Sequence, residues 1–133
     1  MPQYVVDKVR NALNEHCKPL KGSKMLVMGI AYKRDIDDVR ESPVLDIIHL
    51  LNKRGAIVSY CDPFVPHIRP AHEHGIGFDM TSVDPCQAAD ADCAVIVTDH
   101  KSFDYKALVR DANLMLDTRN ALKGIESENI FRL

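Results

Sequence analysis

The chain has 133 residues, 46% of them hydrophobic and 27% charged, with a formal net charge of −2. That balance supports one hydrophobic core and excludes a disordered chain. It also leaves no global positive field for nucleic acid or an anionic membrane face, so any anion site must be local.

Residues 3–16 place Val6, Val9 and Leu13 on one side of a helix and Lys8, Asn11 and Asn14 away from it. The stripe is thin, so this helix is expected to lean on a larger body through the short linker 18–23. It reads as the continuation of an element that begins elsewhere. Next, Met25-Leu26-Val27-Met28-Gly29-Ile30 is an unbroken apolar run of strand length, as expected for a central parallel strand covered on both faces.

After a charged loop, Ser42 supplies a capping acceptor and Pro43 a preset φ, and Val44, Ile47, Ile48 and Leu51 follow at helical spacing. Gly55 should close this helix in the left-handed conformation. Residues 56–61 then form a second strand, ended by Asp62-Pro63, and the three elements make a βαβ unit with a right-handed crossover. Residues 63–75, with Pro66, His67, Pro70, His72 and His74, show no period and are read as a loop or a short helix. A short strand at 76–78, a helical stretch at 85–89, a buried strand at 93–97, a helix at 105–110 and the run Leu114-Met115-Leu116-Asp117 complete the alternation.

The predicted fold class is α/β: a Rossmann-like open, mostly parallel sheet with helices on both faces, preceded by an N-terminal helix. Residues 1–17 are assigned to that connecting helix and 18–133 to the domain proper. Cys17, Cys61, Cys86 and Cys93 form no CxxC pair and are expected to be reduced thiols. No apolar run is long enough to span a bilayer, and Met1-Pro2-Gln3-Tyr4 lacks the marks of a signal peptide. A cytoplasmic location is the resulting expectation.

In open α/β sheets ligands bind beyond the carboxyl ends of the strands, so the segments after the strands are the candidate sites. The segment from Gly29 to Glu41 carries Lys33, Arg34 and Arg40 against Asp35, Asp37, Asp38 and Glu41. By charge count it is a solvated loop; by position, Tyr32 can stack on a base and Lys33 can neutralise a phosphate. No GxGxxG follows the first strand, so a backbone cradle for a pyrophosphate is not expected there.

Asp62 either holds a ribose hydroxyl or simply starts a turn. Thr98-Asp99-His100 offers an acid and imidazole pair, or caps for the next helix. Arg119, leaving a buried strand, presents a fork that suits phosphate, carboxylate or an internal ion pair. Cys61, His67, His72 and His74 carry zinc-ligand chemistry at a spacing that matches no common site, so no metal is assigned. No cysteine has a sequence-local activating partner, so none is assigned as a nucleophile.

Taken together, Gly29-Ile30-Ala31-Tyr32-Lys33, Asp37-Asp38-Val39-Arg40-Glu41-Ser42-Pro43, Gly55, Asp62-Pro63, Thr98-Asp99-His100 and Asp117-Thr118-Arg119-Asn120 resemble the C-terminal domain of the UDP-glucose/GDP-mannose dehydrogenase family. Met1-Pro2 with Tyr4 resembles the segment leaving that family's middle domain. The resemblance covers essentially the whole chain.

It implies a three-part enzyme: an N-terminal domain holding NAD, a helical middle domain building a homodimer or larger assembly, and this domain closing over a nucleotide sugar, most simply a UDP-sugar. Such enzymes serve polysaccharide biosynthesis by oxidising the sugar C6 alcohol to a carboxylate through a cysteine-linked intermediate. The resemblance makes Tyr32, Lys33 and Arg119 substrate contacts and Arg40 an NAD contact. Arg34 stands where the family often has proline. The first loop is nearest to the UDP-N-acetylglucosamine 6-dehydrogenase branch.

The catalytic-cysteine motif GGxCxxKD is absent, so the chain alone is expected to be inactive, with no catalytic residue of its own. Two other readings stand beside this one. A freestanding nucleotide-binding or interaction module would need no catalytic partner, and a phosphotransfer receiver domain would gather acidic residues at the end of the first strand.

Overall fold

The computed structural model describes residues 2–15, 17–30, 43–68, 80–101, 103–119, 121–125 and 127–132. In chain order they form helix α1 (Pro2–Glu15), strand β1 (Lys24–Met28), helix α2 (Pro43–Lys53), strands β2 (Ile57–Cys61), β3 (His67–Ile68) and β4 (Met80–Thr81), and a 3-10 turn (Pro85–Ala89). Strand β5 (Cys93–Ile96), helix α3 (Tyr105–Asp111) and strands β6 (Met115–Asp117) and β7 (Ile130–Arg132) follow.

Five strands build one sheet in the order β2-β1-β5-β6-β7, every neighbouring pair parallel. The predicted Rossmann-like α/β class is the fold observed. Strand β1, expected at the centre, is an interior strand between β2 and β5, the middle place going to β5, and both its faces are apolar. Met25 and Val27 pack into one core with Val6, Val9 and Leu13 of α1 and Ile47, Ile48 and Leu51 of α2. Leu26 and Met28 face the other core, with Ala88, Leu108, Val109 and Met115. Helical elements therefore cover both sides, as period-two burial of a continuous apolar run requires.

Helix α2 begins at Pro43 and ends where Gly55 takes φ +89°; Ser42, the expected cap, lies outside the described residues. The Gly55 amide donates to the Asn52 carbonyl and the Ala56 amide to the Leu51 carbonyl, the paired bonds of a Schellman closure. Helix α1 closes by the same pair, Cys17 to Asn14 and Lys18 to Leu13, although Cys17 holds φ 58° with a side chain.

Several details depart from expectation or fall outside the described residues. The first strand stops at Met28 rather than at residue 30, because Gly29 turns to φ +84°. Within 63–75, read as a loop or short helix, His67–Ile68 is a strand paired antiparallel with Met80–Thr81. The strand expected at 76–78 lies outside the described residues. Strand β7 was not anticipated, since Ile130-Phe131-Arg132 is too short for a clear pattern. Helix α1 is also more deeply engaged than its stripe suggested, with Val5 and Ala12 buried beside the three expected residues.

Candidate functional site

Strand order reverses direction at β1: the chain steps outward to β2, then returns to the other side of β1 with β5. A ligand crevice is expected at such a switch point, beyond the carboxyl ends of the two strands that flank it. Here those ends are Gly29-Ile30 after β1 and Val97-Thr98 after β5.

The rim at this point is laced by backbone bonds. Val97 and Thr98 amides donate to the Met28 carbonyl at 3.0 and 3.3 Å, and the Gly29 amide donates to the Cys61 carbonyl at 2.8 Å. Gly29 must be glycine for two reasons: its φ is positive, and a Cβ would stand 2.5 Å from the Thr98 carbonyl oxygen. Close contact between the two strand exits thus depends on the missing side chain.

Asp62 ends β2 with its carboxylate turned inward, the residue only 1% exposed. Its Oδ2 accepts the Ile30 amide at 2.8 Å and faces His100 Nε2 at 2.9 Å, while Oδ1 accepts the Phe64 amide at 2.8 Å. The ribose role considered for Asp62 is therefore corrected, since protein donors occupy both oxygens. The acid partner of His100 is Asp62, not its neighbour Asp99. Nor does the 98–100 segment cap the next helix: Asp104 does, accepting the Ala107 amide at 3.2 Å.

The His100 ring lies 4.8 Å from the Phe64 ring and 5.7 Å from that of Phe103. Sequence distance hid this arrangement. Asp62 and His100 are 38 positions apart, and no local period links them.

Arg119 follows β6 on a turn shaped by the buried Asp117. Asp117 Oδ1 accepts the Arg119 and Ala121 amides at 3.0 and 3.1 Å, and Oδ2 accepts the Leu122 amide at 2.8 Å. Arg119 Nε donates to the Val97 carbonyl at 2.9 Å. That bond fixes the guanidinium to the same Val97-Thr98 segment that packs on Gly29. The ion pair considered for Arg119 is not found among the described residues; its fixed partner is a neutral carbonyl, and the residue stays exposed. Tyr32, Lys33, Arg34 and Arg40 lie outside the described residues.

Cys61 and Cys93 are buried free thiols and Cys17 is an exposed one. Burial, then the nearby Asp92 charge, pushes the Cys93 thiol up to about 12, which makes it a poor nucleophile. No metal-binding cluster occurs among the described residues, and His72 and His74 lie outside them. Among the described residues no helix is long and apolar enough to cross a membrane.

The family model for the UDP binding domain of the UDP-glucose/GDP-mannose dehydrogenase family matches residues 26–124, from β1 to the turn after Arg119. The chain belongs to that family. A UDP-glucose 6-dehydrogenase from Rickettsia bellii is 31% identical over 97% of this chain and 30% of its own length. A UDP-N-acetyl-D-mannosamine dehydrogenase from Methanococcus maripaludis is 30% identical over 92% of this chain and 28% of its own.

A UDP-N-acetyl-D-glucosamine 6-dehydrogenase from Salmonella typhi, the branch suggested by the first loop, is 22% identical over 96% of this chain and 31% of its own. Among solved structures, the UDP-N-acetyl-mannosamine dehydrogenase of Staphylococcus aureus superposes with a TM-score of 0.72 at 31% identity, covering 99% of this chain and 30% of that one. The chain thus spans less than a third of the length of the relatives it matches.

For a member of a dehydrogenase family, the β1 exit is an unsuitable cradle for a dinucleotide pyrophosphate. The Gly29 and Ile30 amides, which would have to point at the phosphates, are bonded to Cys61 and Asp62 instead. The described residues do not fit NAD at this turn.

Proposed function

We propose that this chain is the nucleotide-sugar-binding domain of an NAD-dependent nucleotide-sugar 6-dehydrogenase, with a UDP-sugar as its ligand. The observation that carries the reading is the anchored Arg119 guanidinium beside the switch point, next to the strand exit that leads into Tyr32 and Lys33. A planar cation preset by a neutral carbonyl keeps its terminal nitrogens for an anion, and a diphosphate supplies one. Tyr32 and Lys33 complete the contact as a stacking surface and a point charge.

In this reading residues 1–17 are the tail of a connecting helix and 18–133 the binding domain. Hydride acceptance by NAD and the catalytic cysteine belong to other parts of the protein, with Arg40 as this domain's NAD contact. Oxidation of the C6 alcohol to a carboxylate removes two hydrides, so two NAD are consumed per sugar. The whole enzyme is a cytoplasmic dimer or larger assembly serving polysaccharide synthesis, and the isolated chain does not turn over.

Calorimetric titration of UDP into the chain tests the site. Lys33→Ala and Arg119→Ala are each expected to weaken binding by about 1.5–3 kcal/mol, the range for a hydrogen bond to a charged group. Identical isotherms for the three proteins would remove both residues from the site.

A further inference from the structure

The family reading assigns no task to His100, a buried imidazole at this rim. His100 and Asp62 both have fully buried side chains, and Nε2 stands 2.9 Å from Oδ2. The same oxygen accepts the Ile30 amide, and Ile30 is the last described residue before Tyr32 and Lys33 in the chain. Three elements therefore meet on one carboxylate: the exit of β1, the end of β2 and the segment after β5.

The imidazole is itself held in place. Phe64 and Phe103 flank its ring, and the Tyr105 hydroxyl donates to the His100 carbonyl at 2.7 Å. Phe64 also donates its own amide to Asp62. A carboxylate on a short side chain can rotate about two torsions, and two backbone amides hold this one, Ile30 on Oδ2 and Phe64 on Oδ1. The imidazole, wedged between aromatics, adds a second donor on Oδ2, the oxygen that receives Ile30.

We propose that His100 is a positioning residue that acts through Asp62 to fix Ile30, two residues past the end of β1, and so the entry into the residues proposed to contact the nucleotide. It sets the orientation of the acceptor on which the Ile30 amide depends. The nucleotide half of the inference rests on the function proposed above; the Ile30 half does not.

The test compares His100→Leu, which removes the donor at similar volume, with His100→Gln, which keeps a side-chain N–H. Amide exchange by NMR, run without nucleotide, is expected to speed up at Ile30 by about tenfold in the Leu variant, the size of one lost charge-assisted hydrogen bond. Exchange at Leu26 and Val27, inside β1, should stay unchanged, which separates positioning from general loosening. UDP affinity is expected to fall by about five- to twentyfold in the Leu variant on the same grounds, and both effects should largely reverse in the Gln variant.

Unchanged exchange at Ile30 in a folded Leu variant overturns the proposal, as does faster Ile30 exchange with undiminished UDP affinity. Should the Leu variant fail to fold, the unsubstituted protein decides. UDP must then move the His100 Nε2 and Ile30 amide resonances together, and independent behaviour overturns the link. If UDP leaves the spectrum of the unsubstituted chain unaltered, the proposed function is what fails, and the exchange data alone judge the clamp.

Discussion

At the carboxyl rim of the sheet Asp62, Thr98, His100 and Asp117 are all buried to 2% exposure or less, and the Asp62 and Asp117 carboxylates each accept two or more backbone amides. At the amino rim Lys18 meets Asp92 at 3.1 Å with side chains 43% and 31% exposed, and Asp92 also accepts the Lys24 amide at 2.8 Å. The two rims share one sheet, yet the polar groups named at the carboxyl rim are buried and the ion pair at the amino rim is partly exposed. Buried polar groups hold position rigidly because leaving any of them unpaired costs a desolvation penalty, whereas exposed pairs exchange with solvent. The rim at the strand switch point is the one built from buried groups.

Removing Asp62 should expose the contrast most strongly. Asp62→Ala strips the acceptor from Ile30, Phe64 and His100 at once and is expected to cost about 3–5 kcal/mol in urea unfolding, since three buried donors lose their partner. Asp62→Asn, which keeps one carbonyl oxygen, should cost less. A cost below that of any exposed ion pair would break the distinction between the rims.

Gly29→Ala comes next, at about 2–4 kcal/mol, because the added Cβ meets backbone and the φ is unfavourable to it. Thermal unfolding measures it. A near-neutral result would mean that the two strand exits can part without consequence.

Asp92→Ala, on the amino rim, should cost only about 1 kcal/mol and less in high salt. The Lys24 amide, then the Lys18 side chain, hold the Asp92 carboxyl below its ordinary value near 3.8, partly offset by burial. A depressed carboxyl contributes stability above the ordinary value and loses it as pH falls through the lower, folded value. The difference between the two proteins' urea midpoints should therefore be constant above that range and shrink below it.

The smallest effect has the opposite sign. Cys17→Gly should stabilise by about 0.5–1 kcal/mol, since the closure of α1 already needs the left-handed conformation that Gly55 supplies for α2. Destabilisation would show that the Cys17 side chain makes a contact that outweighs its backbone strain.

Much of the scaffold was legible because its signals are local. The apolar run of β1, Pro43 at the start of α2 and Gly55 past its end report conformations that neighbouring residues set among themselves. Arg119 was legible as a rim cation because it directly follows a buried strand, and Asp117 shapes its turn through amides two to five positions on. The Ile30, Asp62 and His100 junction was not legible, since its members come from three strand exits far apart in the chain. Strands β3 and β7 escaped for a different reason: two or three residues are too few to display a period.

Composition and periodicity alone were enough for the α/β class and an interior β1 covered on both faces, because alternation of apolar character is written residue by residue. Which carboxylate receives which donor could be settled only by the folded chain. A buried acceptor is satisfied by whatever the strand order brings within about 3 Å, and strand order is a property of the whole sheet.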